Sequence, residues 1–498
     1  MTGPSGETFD VLIIGGGITG CGVARDAAMR GLKVALIERD DFASGTSGRS
    51  SRLIHGGIRY LEQGRLHLVR ESIREREILL RIAPHLVKPL AFTWPIYRNA
   101  RVGKLKLRAG LLLYQLMAGR RSRHYSALNA RETLEREPGL KEAGLTGGAV
   151  YYDASTDDAR LTVANAVAAK QQGATILSHT QVGGIIRDEG KAVGAIATVR
   201  QSGEEQEFRA RLIVNATGVW HNLFSPNDRA KNHRGSKGVH IAIARERIGN
   251  RDALTLISPV DGRVMFCLPA GPQAIIGTTD TWTDESPETV HASESDVDYL
   301  LRSANEYFPR ARLSTDDVMS AWAGIRPLAS AQTDNPSAVS REHSIATDGS
   351  GVINVTGGKL TTYRSMAAEV VDAVQKALGQ KVTAAPTESV ELPGVEREDE
   401  IARLQREDAK LSTPLVEGLP YTGAHLVYGV SKELAVDLGD LLIRRTHLAF
   451  ETRDHGKGIA SQVADIVAPL LGWDAATKSA RVREFEQDIG RMFAISVQ

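Results

Sequence analysis

The chain has 498 residues, too many for one ordinary hydrophobic core, and 42% of them are hydrophobic, as in a folded globular protein. The 61 Lys and Arg residues balance the 60 Asp and Glu residues, so no overall electrostatic field favours nucleic acid. The only two cysteines, Cys21 and Cys267, lack a metal-ligand or CxxC spacing, which argues against a metal site and a disulfide framework. No run of about 18 apolar residues occurs, which argues against a membrane-spanning helix.

The N-terminal segment has the pattern of a dinucleotide-binding unit. A predicted strand at 9–14 runs into a glycine-rich turn at 15–20, a helix follows, and a second strand at 33–38 ends in a carboxylate. The first glycine of such a turn permits the tight bend, the second permits close approach of a pyrophosphate, and the third permits packing of the helix on the strand. The pyrophosphate then lies at the helix N-terminus. The residues predicted to form this turn are Gly15, Gly16, Gly17, Ile18, Thr19 and Gly20.

The carboxylate at the end of the second strand bears on which dinucleotide binds. Glu38 is placed to accept hydrogen bonds from a ribose diol, and it would repel a 2'-phosphate. The sequence therefore favours FAD or NAD over NADP, although the neighbouring Arg39 weakens this argument. A glycine-rich turn without a ligand is the alternative.

Two later segments also consist of a predicted strand that ends in small residues. A strand at 211–214 leads into 215–218, and a strand at 352–355 leads into 356–359 and then a helix at 360–377. Small residues at the ends of strands let a ligand approach the backbone. The sequence therefore predicts a discontinuous domain in which three distant segments meet at one nucleotide site. A further strand is predicted at 175–182.

We predict an α/β plus α+β fold with three domains. Short β-type runs punctuated by Gly and Pro between 220 and 326 predict an antiparallel-sheet substrate domain, and helical periodicity follows the break at 391–394. The predicted domains are a discontinuous Rossmann-like nucleotide-binding domain (1–85, 145–220 and 320–383), a substrate-binding, membrane-facing domain (86–144 and 221–319) and a C-terminal helical cap domain (384–498).

One segment is strongly basic. Residues 98–125 include eight Lys or Arg and no Asp or Glu, and Leu105, Ala109, Leu112, Leu113 and Leu116 fall on one helical face. Such a helix can lie in the headgroup region of an anionic bilayer. A core-packed helix with a solvated basic edge is the alternative. The basic residues flanking this face are Lys104, Lys106, Arg108, Arg120, Arg121 and Arg123.

Together these motifs resemble the FAD-dependent glycerol-3-phosphate dehydrogenases, quinone-linked flavoproteins of the D-amino-acid-oxidase-like superfamily. The two most selective motifs are His-Gly-Gly-x-Arg-Tyr at 55–60 and Gly-Gly-Lys-Leu-Thr-Thr-Tyr-Arg at 357–364. The matching blocks occur in family order over almost the whole chain, and 440–446 is the most recognisable part of the C-terminus. The other blocks are 15–20, 50–54, 215–218, 276–280 and 324–328.

The resemblance implies FAD as the cofactor. Reduction of a flavin places negative charge on its pyrimidine side, so its site needs positive potential, and the Gly357-Gly358 turn with Lys359 can supply it. A helix cap with a solvent-facing lysine is the alternative. Besides the first turn, Glu38 and Arg39, the predicted FAD contacts are Thr46, Ser47, Ser50, Ser51, His55, Gly56, Gly57, Val182, Ala216, Thr217, Gly218, Gly357, Gly358, Lys359, Leu360 and Thr361.

A glycerol phosphate substrate carries a dianion, which guanidinium groups bind best. Arg59 and Arg326 are the first candidates because each lies beside Gly or Pro in an apolar setting, and Arg341 and Lys359 are the next. A structural ion pair is the alternative for each arginine. The predicted substrate-binding residues are Arg59, Tyr60, Arg326, Arg341, Lys359 and Thr279.

Oxidation of the C2 alcohol also needs a group that accepts a proton, for which histidine suits neutral pH. His55 is preferred as the group near the reacting carbon, and His240 is a substrate contact or a substitute base. A bound water is a third possibility. The predicted catalytic residues are His55, His240 and Arg326.

The resemblance thus implies oxidation of sn-glycerol 3-phosphate to dihydroxyacetone phosphate, with electrons passed through FAD to a membrane quinone. We expect a cytoplasmic protein bound to the inner face of the membrane, since residues 1–7 lack signal-peptide features. A homodimer is possible, and we expect neither metal nor nucleic acid to bind. The rivals are a glycerol-3-phosphate oxidase using oxygen, an amine or amino-acid oxidase, and a non-catalytic flavin-binding module.

Overall fold

A computed structural model gives the fold and describes residues 7–62, 64–98, 100–118, 124–224, 235–326 and 342–496, apart from the side chain of Arg59. Its strands are β1 (Thr8–Ile14), β2 (Val34–Ile37), β3 (Leu53–Ile54), β4 (Val87–Tyr97), β5 (Ser126–Asn129), β6 (Leu145–Thr156), β7 (Thr175–Leu177), β8 (Thr180–Asp188), β9 (Lys191–Val199), β10 (Glu205–Asn215), β11 (Gly235–Ala244), β12 (Ala253–Ile257), β13 (Val264–Ala270), β14 (Gln273–Gly277), β15 (Thr281–Thr283), β16 (Ala292–Ser293), β17 (Val318–Arg326), β18 (Ser344–Thr347), β19 (Ile353–Thr356) and β20 (Ile495–Ser496). Its helices are α1 (Ile18–Met29), α2 (Arg59–Glu62), α3 (Leu66–Ile82), α4 (Lys104–Ala118), α5 (Ala130–Arg136), α6 (Asp158–Gln171), α7 (Glu294–Tyr307), α8 (Tyr363–Ala377), α9 (Arg397–Glu407), α10 (Gly423–Lys432), α11 (Leu448–Glu451), α12 (Ala460–Leu471) and α13 (Ala475–Phe493).

The first sheet has the strand order β18-β19-β10-β1-β2-β7, and β9 and β8 extend it beyond β10. β1 pairs in parallel with β2 and β10, and β10 pairs in parallel with β19. Residues 11–14 of β1 are buried on both faces, as expected for a parallel strand covered on both sides. The carboxyl ends of three distant segments therefore meet at one edge, which confirms the predicted Rossmann-like fold.

Small residues on α1 explain how helices pack on this sheet. α1 contacts both α6 and α8, and residues 20–24 include two glycines and an alanine. A Cβ atom on Gly22 would come within 2.9 Å of the Tyr363 ring of α8. Since that ring is fully buried, a larger residue would displace α8 and the turn that precedes it.

The second sheet is largely antiparallel and has the order β15-β11-β14-β13-β12-β4-β6-β3, with β17 added to β11 and β5 added to β6. It confirms the predicted antiparallel sheet. Its membership differs from the predicted boundaries, because β6 (145–156), β3 and β17 (318–326) pair in this sheet although their segments were assigned to the nucleotide-binding domain. Local sequence shows that a strand forms, whereas its sheet depends on partners far along the chain.

The strand predicted at 175–182 is two strands. β7 pairs with β2, whereas β8 begins at Thr180 and pairs with β9 in the antiparallel direction. His179, between them, has a φ of 51°, a left-handed conformation that breaks an extended strand.

The C-terminal region is helical, as predicted, and an ion-pair cluster holds it against the first sheet. Arg445 donates to both oxygens of the fully buried Asp41, at 2.7 and 2.8 Å, and Arg444 donates to Asp41 and Asp440. The imidazole Nε2 of His179 lies 3.2 Å from both carboxylate oxygens of Asp440. Ligand atoms of Asp41, His179 and Asp440 lie within 4.8 Å of one another, but the two guanidinium groups already satisfy these carboxylates and oppose a cation.

This cluster makes stability depend on pH. Burial lowers the pKa of His179, but the Asp440 carboxylate outweighs it and raises the pKa from 6.5 to about 9. The imidazolium therefore stabilises the folded state fully below pH 6.5, and this stabilisation is lost as pH rises through about 9. We expect the thermal unfolding midpoint of wild type to fall between these pH values by more than that of His179→Gln. Equal falls in the two proteins would contradict this assignment.

Candidate active site

A cavity of about 1020 Å³ lies where the two sheets meet. It reaches the ends of β1, β2, β10 and β19, as well as residues of β11, β13 and β17 of the second sheet. Its size matches the upper range of cavities that hold organic ligands. Most predicted site residues line it: Gly15, Gly17, Ile18, Thr19, Glu38, Arg39, Thr46, Ser47, Ser50, Ser51, His55, Gly57, Tyr60, Val182, Ala216, Thr217, Gly218, His240, Arg326, Gly357, Gly358, Lys359, Leu360 and Thr361.

The glycine-rich turn after β1 is shaped as predicted. Gly15 has a φ of 108°, and a Cβ atom there would lie 2.7 Å from the carbonyl oxygen of Ala216. A Cβ atom on Gly20 would overlap the carbonyl oxygen of Gly15. Gly17 is the N-cap of α1, and having no side chain it cannot cap the helix itself; Gly17, Ile18 and Thr19 line the cavity, so the N-terminal end of this helix borders it.

Glu38 lies at the end of β2 and anchors the turn from the side. Its Oε2 accepts a hydrogen bond from the Gly16 amide at 2.5 Å, and its Oε1 accepts one from the Asp40 amide at 2.8 Å. Burial raises the pKa of this carboxyl group. Arg39 stacks over the Trp220 ring at 5.1 Å and pairs with Asp40 and Glu288.

The serine-rich loop at 46–51 is tied to the protein by its hydroxyl groups. Ser47 Oγ accepts a hydrogen bond from the Ile18 amide at 2.9 Å, and Thr46 Oγ1 donates to the Ile325 carbonyl at 2.7 Å. Ser50 Oγ donates to Asp158 at 2.6 Å. These bonds join the loop to α1, β17 and α6, so its backbone is fixed along the cavity wall.

His55 lies in a turn and uses one ring nitrogen there. Its Nδ1 accepts a hydrogen bond from the Gly57 amide at 3.1 Å, and its own amide donates to Thr361 Oγ1 at 3.1 Å. In the neutral ring the proton then resides on Nε2, so neither nitrogen has a lone pair available to accept a proton.

His240 lies on β11 and has a different environment. Its Nε2 is 2.8 Å from Ser51 Oγ, and its Nδ1 is buried without a hydrogen-bond partner among the described residues. Burial, and then the positive charges of Arg326 and Arg52, lower the pKa of His240 to about 3. The imidazole is therefore neutral at physiological pH. A Cβ atom on Gly277, opposite on β14, would overlap this ring, so the glycine leaves room for it.

Arg326, at the end of β17, is held in a fixed orientation. Its Nη1 donates to Asp280 Oδ1 at 3.0 Å, and its Nη2 donates to Thr278 Oγ1 at 3.0 Å. A Cβ atom on Gly238 would overlap the guanidinium group. The group is only 18% exposed and lines the cavity, so it presents a desolvated positive charge to any ligand there.

The third strand end places a second cation at the cavity. Gly357 and Gly358 have φ values of 74° and 92°, and Lys359 follows before the turn that begins α8. Lys359 Nζ lies 4.3 Å from the centre of the Tyr60 ring and 3.4 Å from Ser72 Oγ. Lys359 and Tyr60, both predicted to bind the substrate, thus lie together in one wall of the cavity.

Several predicted residues do not line the cavity. Thr279 is buried, and its hydroxyl accepts a hydrogen bond from the Val239 amide at 2.9 Å, so it supports β11. Gly16 and Gly20 belong to the first turn but face away from the cavity. Gly56 also does not line the cavity, and its amide donates to Asp153 Oδ1 at 3.1 Å. The side chain of Arg59, at the start of α2, and all of Arg341 lie outside the described residues.

Other lining residues were not predicted. Arg263, on the loop before β13, donates to the Asp280 carbonyl at 2.9 Å. Arg49 lies within the serine-rich loop, and burial, with repulsion from Arg444, lowers its pKa to about 10. Arg263 lies in no motif, and nothing in the sequence distinguished Arg49 from its neighbours in the loop. Gly238, which also lines the cavity, carried a weak signal, since glycine inside a strand marks close approach of another group.

The residues present fit a dinucleotide such as FAD. The glycines of the first turn keep its backbone close-packed, because a Cβ atom on Gly15 or Gly20 would overlap the neighbouring backbone. The N-terminus of α1, which follows this turn, borders the cavity and suits a pyrophosphate. Glu38 and Val182 line one part of the cavity, and residues 357–361 line another. An extended ligand with a central pyrophosphate would therefore meet all three strand ends.

Comparison with known proteins agrees with this geometry. The profile of the family described as "FAD dependent oxidoreductase" matches residues 10–364, and that of the "C-terminal domain of alpha-glycerophosphate oxidase" matches residues 396–478. The chain is 37% identical to glycerol-3-phosphate dehydrogenase 2 of Mycobacterium tuberculosis, over 96% of this chain and 88% of that protein. It is 34% identical to the aerobic glycerol-3-phosphate dehydrogenase of Bacillus subtilis, over 96% and 94% respectively.

Solved structures show the same relationship. The glycerol-3-phosphate dehydrogenase of Bacillus halodurans, complexed with FAD, superposes with a TM-score of 0.78 at 30% identity, covering 98% of this chain and 96% of that one. The L-α-glycerophosphate oxidase of Mycoplasma pneumoniae, with FAD bound, has a TM-score of 0.60 at 19% identity, covering 78% and 100%. The second likeness shows a shared fold alone.

Proposed function

Because this chain belongs to the family of FAD-dependent glycerol-3-phosphate dehydrogenases, we propose that it oxidises sn-glycerol 3-phosphate to dihydroxyacetone phosphate and passes the electrons to a membrane quinone. The observation that carries the proposal is the position of Arg326 and His240 on neighbouring strands of one cavity wall. Arg326 supplies a desolvated charge for the phosphate, and His240 is a neutral base.

The turns at 15–20 and 357–361 would hold FAD, which would supply the acceptor for the hydride that leaves C2. Arg326 and Lys359 bind the substrate phosphate, and Arg59 and Arg341 remain predicted contacts. His240 accepts the proton of the C2 hydroxyl. A phosphate dianion at Arg326 offsets one of the two charges that lower the pKa of His240, so binding of the substrate makes this imidazole a stronger base. His55 is better suited to fixing the turn beside Thr361, since Gly57 already occupies its Nδ1.

Anaerobic titration of the purified holoprotein tests the reaction. We expect glycerol 3-phosphate to bleach the flavin absorbance, whereas glycerol and D-amino acids leave it unchanged. Bleaching by a D-amino acid would favour the amino-acid oxidase alternative, and no bleaching by any of the three would fit a non-catalytic flavin module. Stoichiometric peroxide formation in air would favour a glycerol-3-phosphate oxidase over a quinone-linked enzyme.

Helix α4 supports the membrane part of the proposal. Leu105 is 83% exposed and Leu116 is 70% exposed, and Leu112 and Leu113 lie on the same uncovered side. The helix packs on the protein through its other side, with Leu107, Leu111 and Tyr114. The predicted apolar face is therefore free to meet a bilayer. The basic residues Lys104, Lys106 and Arg108 are exposed beside it, whereas Arg120, Arg121 and Arg123 lie outside the described residues.

No helix in the described parts of the chain combines the length and the apolar character that crossing a bilayer requires. We therefore propose peripheral binding to the inner face of the cell membrane, with α4 in the headgroup region. A homodimer stays a prediction.

Neutralising the basic residues of α4 should weaken this binding. In a Lys104→Gln, Lys106→Gln, Arg108→Gln variant we expect the partition coefficient onto anionic vesicles to fall about 100-fold at low salt, since each cation contributes about 1 kcal/mol near such a surface. Vesicle flotation measures this. Leu116→Ser should also weaken binding, whereas Leu470→Ser, which changes an exposed leucine of α12, should not. Unchanged flotation of the triple variant would reject the docking helix.

A further inference from the structure

A continuous series of aromatic rings leads from the C-terminal helical region to the cavity. The His455 ring stacks on Phe493 at 4.3 Å, Phe493 meets Phe450 edge to face at 5.0 Å, and Phe450 meets Trp322 edge to face at 5.0 Å. Trp322 in turn stacks on His240 at 5.4 Å with the planes 15° apart. The last ring of the series is therefore the neutral imidazole that lines the cavity.

Strand pairing in the second sheet places the last two rings side by side. Trp322 on β17 and His240 on β11 are directly paired residues of antiparallel strands, so their side chains project from the same face. Trp322 is 1% exposed and His240 is 3% exposed. In the part of the chain that the structure describes, Ser51 Oγ is the one hydrogen-bond partner of this imidazole, so the indole face determines how the ring is tilted about that bond.

Phe450 is held firmly enough to fix the indole. The Phe450 carbonyl accepts hydrogen bonds from Gln273 Nε2 at 2.6 Å and from Ser320 Oγ at 3.1 Å, so α11 is attached to both β14 and β17. The guanidinium carbon of Arg52 lies 4.6 Å from the centre of the Phe450 ring and 5.9 Å from that of Trp322. Phe450 thus confines both the indole and one of the two cations that act on His240.

We propose that Phe450 is a positioning residue of this active site: through Trp322 and Arg52 it fixes the orientation and the dry surroundings of the His240 imidazole. The C-terminal helical region, none of whose described residues lines the cavity, thereby influences the reaction. The catalytic consequence rests on the proposed function, whereas the effect on the imidazole does not.

The charged groups around His240 give the expected direction of change. Two cations lower the pKa of His240. Arg326 is paired with Asp280, and the charge of Arg52 also attracts the Asp158 carboxylate. Without the Phe450 ring the indole is free to shift, so the imidazole can tilt toward the cavity, and Arg52 can withdraw from it. Both changes relieve causes that lower the pKa of His240, so its pKa should rise toward 6.5.

The test compares Phe450→Leu, which removes the ring, with Phe450→Tyr, which retains it. Phe485→Leu is the matched control, because Phe485 is equally buried in the same C-terminal core but lies outside the ring series. The first measurement is an NMR titration of the holoprotein labelled with ¹³C-histidine, with the His240 signal assigned from His240→Gln. The second is the anaerobic rate of flavin reduction by glycerol 3-phosphate.

In Phe450→Leu we expect the pKa of His240 to rise by at least about one unit. We expect the flavin reduction rate to fall about 10-fold with little change in the KM for glycerol 3-phosphate, because the lost orientation of the imidazole outweighs its greater basicity. Phe450→Tyr and Phe485→Leu should retain wild-type values for both. An unchanged His240 titration in Phe450→Leu, or an equal change in Phe485→Leu, would overturn the proposal. If wild-type flavin is not reduced by glycerol 3-phosphate, the proposed function fails, and the titration still decides the role of Phe450.

Discussion

Replacing Arg326 with lysine is expected to lower kcat/KM for glycerol 3-phosphate about 100- to 1000-fold, with FAD still bound. The guanidinium group donates from two nitrogens at once, to Asp280 and to Thr278, while its positive charge faces the cavity. A lysine ammonium is a point charge and cannot keep both bonds and also bind a phosphate. Each charge-assisted hydrogen bond contributes about 1.5–3 kcal/mol, so loss of two such bonds to the phosphate corresponds to a factor of 100 or more.

Steady-state kinetics with a quinone analogue measures this change, and the flavin-to-protein absorbance ratio verifies that the cofactor is present. Arg302→Lys is the matched control, because Arg302 is an exposed arginine of α7 paired with Asp298 at the surface. Its kcat/KM should equal that of wild type. If Arg326→Lys retains kcat/KM within about 10-fold of wild type, bidentate binding at this position is wrong.

Gly20→Ala is expected to abolish FAD binding. The added Cβ atom would overlap the carbonyl oxygen of Gly15, which is backbone and cannot rotate away. The first turn and the start of α1 would have to separate, and the amide groups that face the cavity would lose their common orientation. Overpacking of this kind costs about 1–3 kcal/mol or more in stability, and a pyrophosphate site tolerates little displacement of its donors.

The flavin content of the purified variant and its affinity for added FAD measure this prediction. We expect colourless protein and a Kd raised at least about 100-fold. Gly490→Ala is the control, because a Cβ atom at this exposed position of α13 would meet no atom within 4 Å. That variant should keep its flavin and unfold at the same temperature or slightly higher. A yellow, fully loaded Gly20→Ala protein would show that the turn does not hold the pyrophosphate.

Long-range pairing explains where prediction from the sequence stopped. His240 and Trp322 are 82 positions apart and become neighbours only because β11 and β17 pair in that register. The same pairing moved β17 out of the predicted nucleotide-binding segment. For α4, periodicity grouped Leu105, Leu112, Leu113 and Leu116 on one face, but only packing decided that the other face, with Leu107 and Leu111, meets the core.

The choice between the two histidines depends only partly on such pairing. Each has a glycine nearby in the sequence, and His55 lies in the more selective motif. The local turn gives the Nδ1 atom of His55 a donor two residues away, whereas strand pairing leaves His240 buried beside an indole and two cations. Their different capacities to accept a proton come from these surroundings.

The amino-acid sequence by itself determined the glycine turns, the three strands that end at the cofactor cavity, the antiparallel second sheet and the helical C-terminus. Each depends on local requirements, namely positive φ, alternation of buried side chains and helical periodicity. Only the tertiary structure decided which strands share a sheet, which cations face the cavity, and that Phe450 and Arg445 attach the C-terminal helices to the rest of the chain. Those features depend on contacts between residues far apart in the chain, whose partners no local pattern specifies.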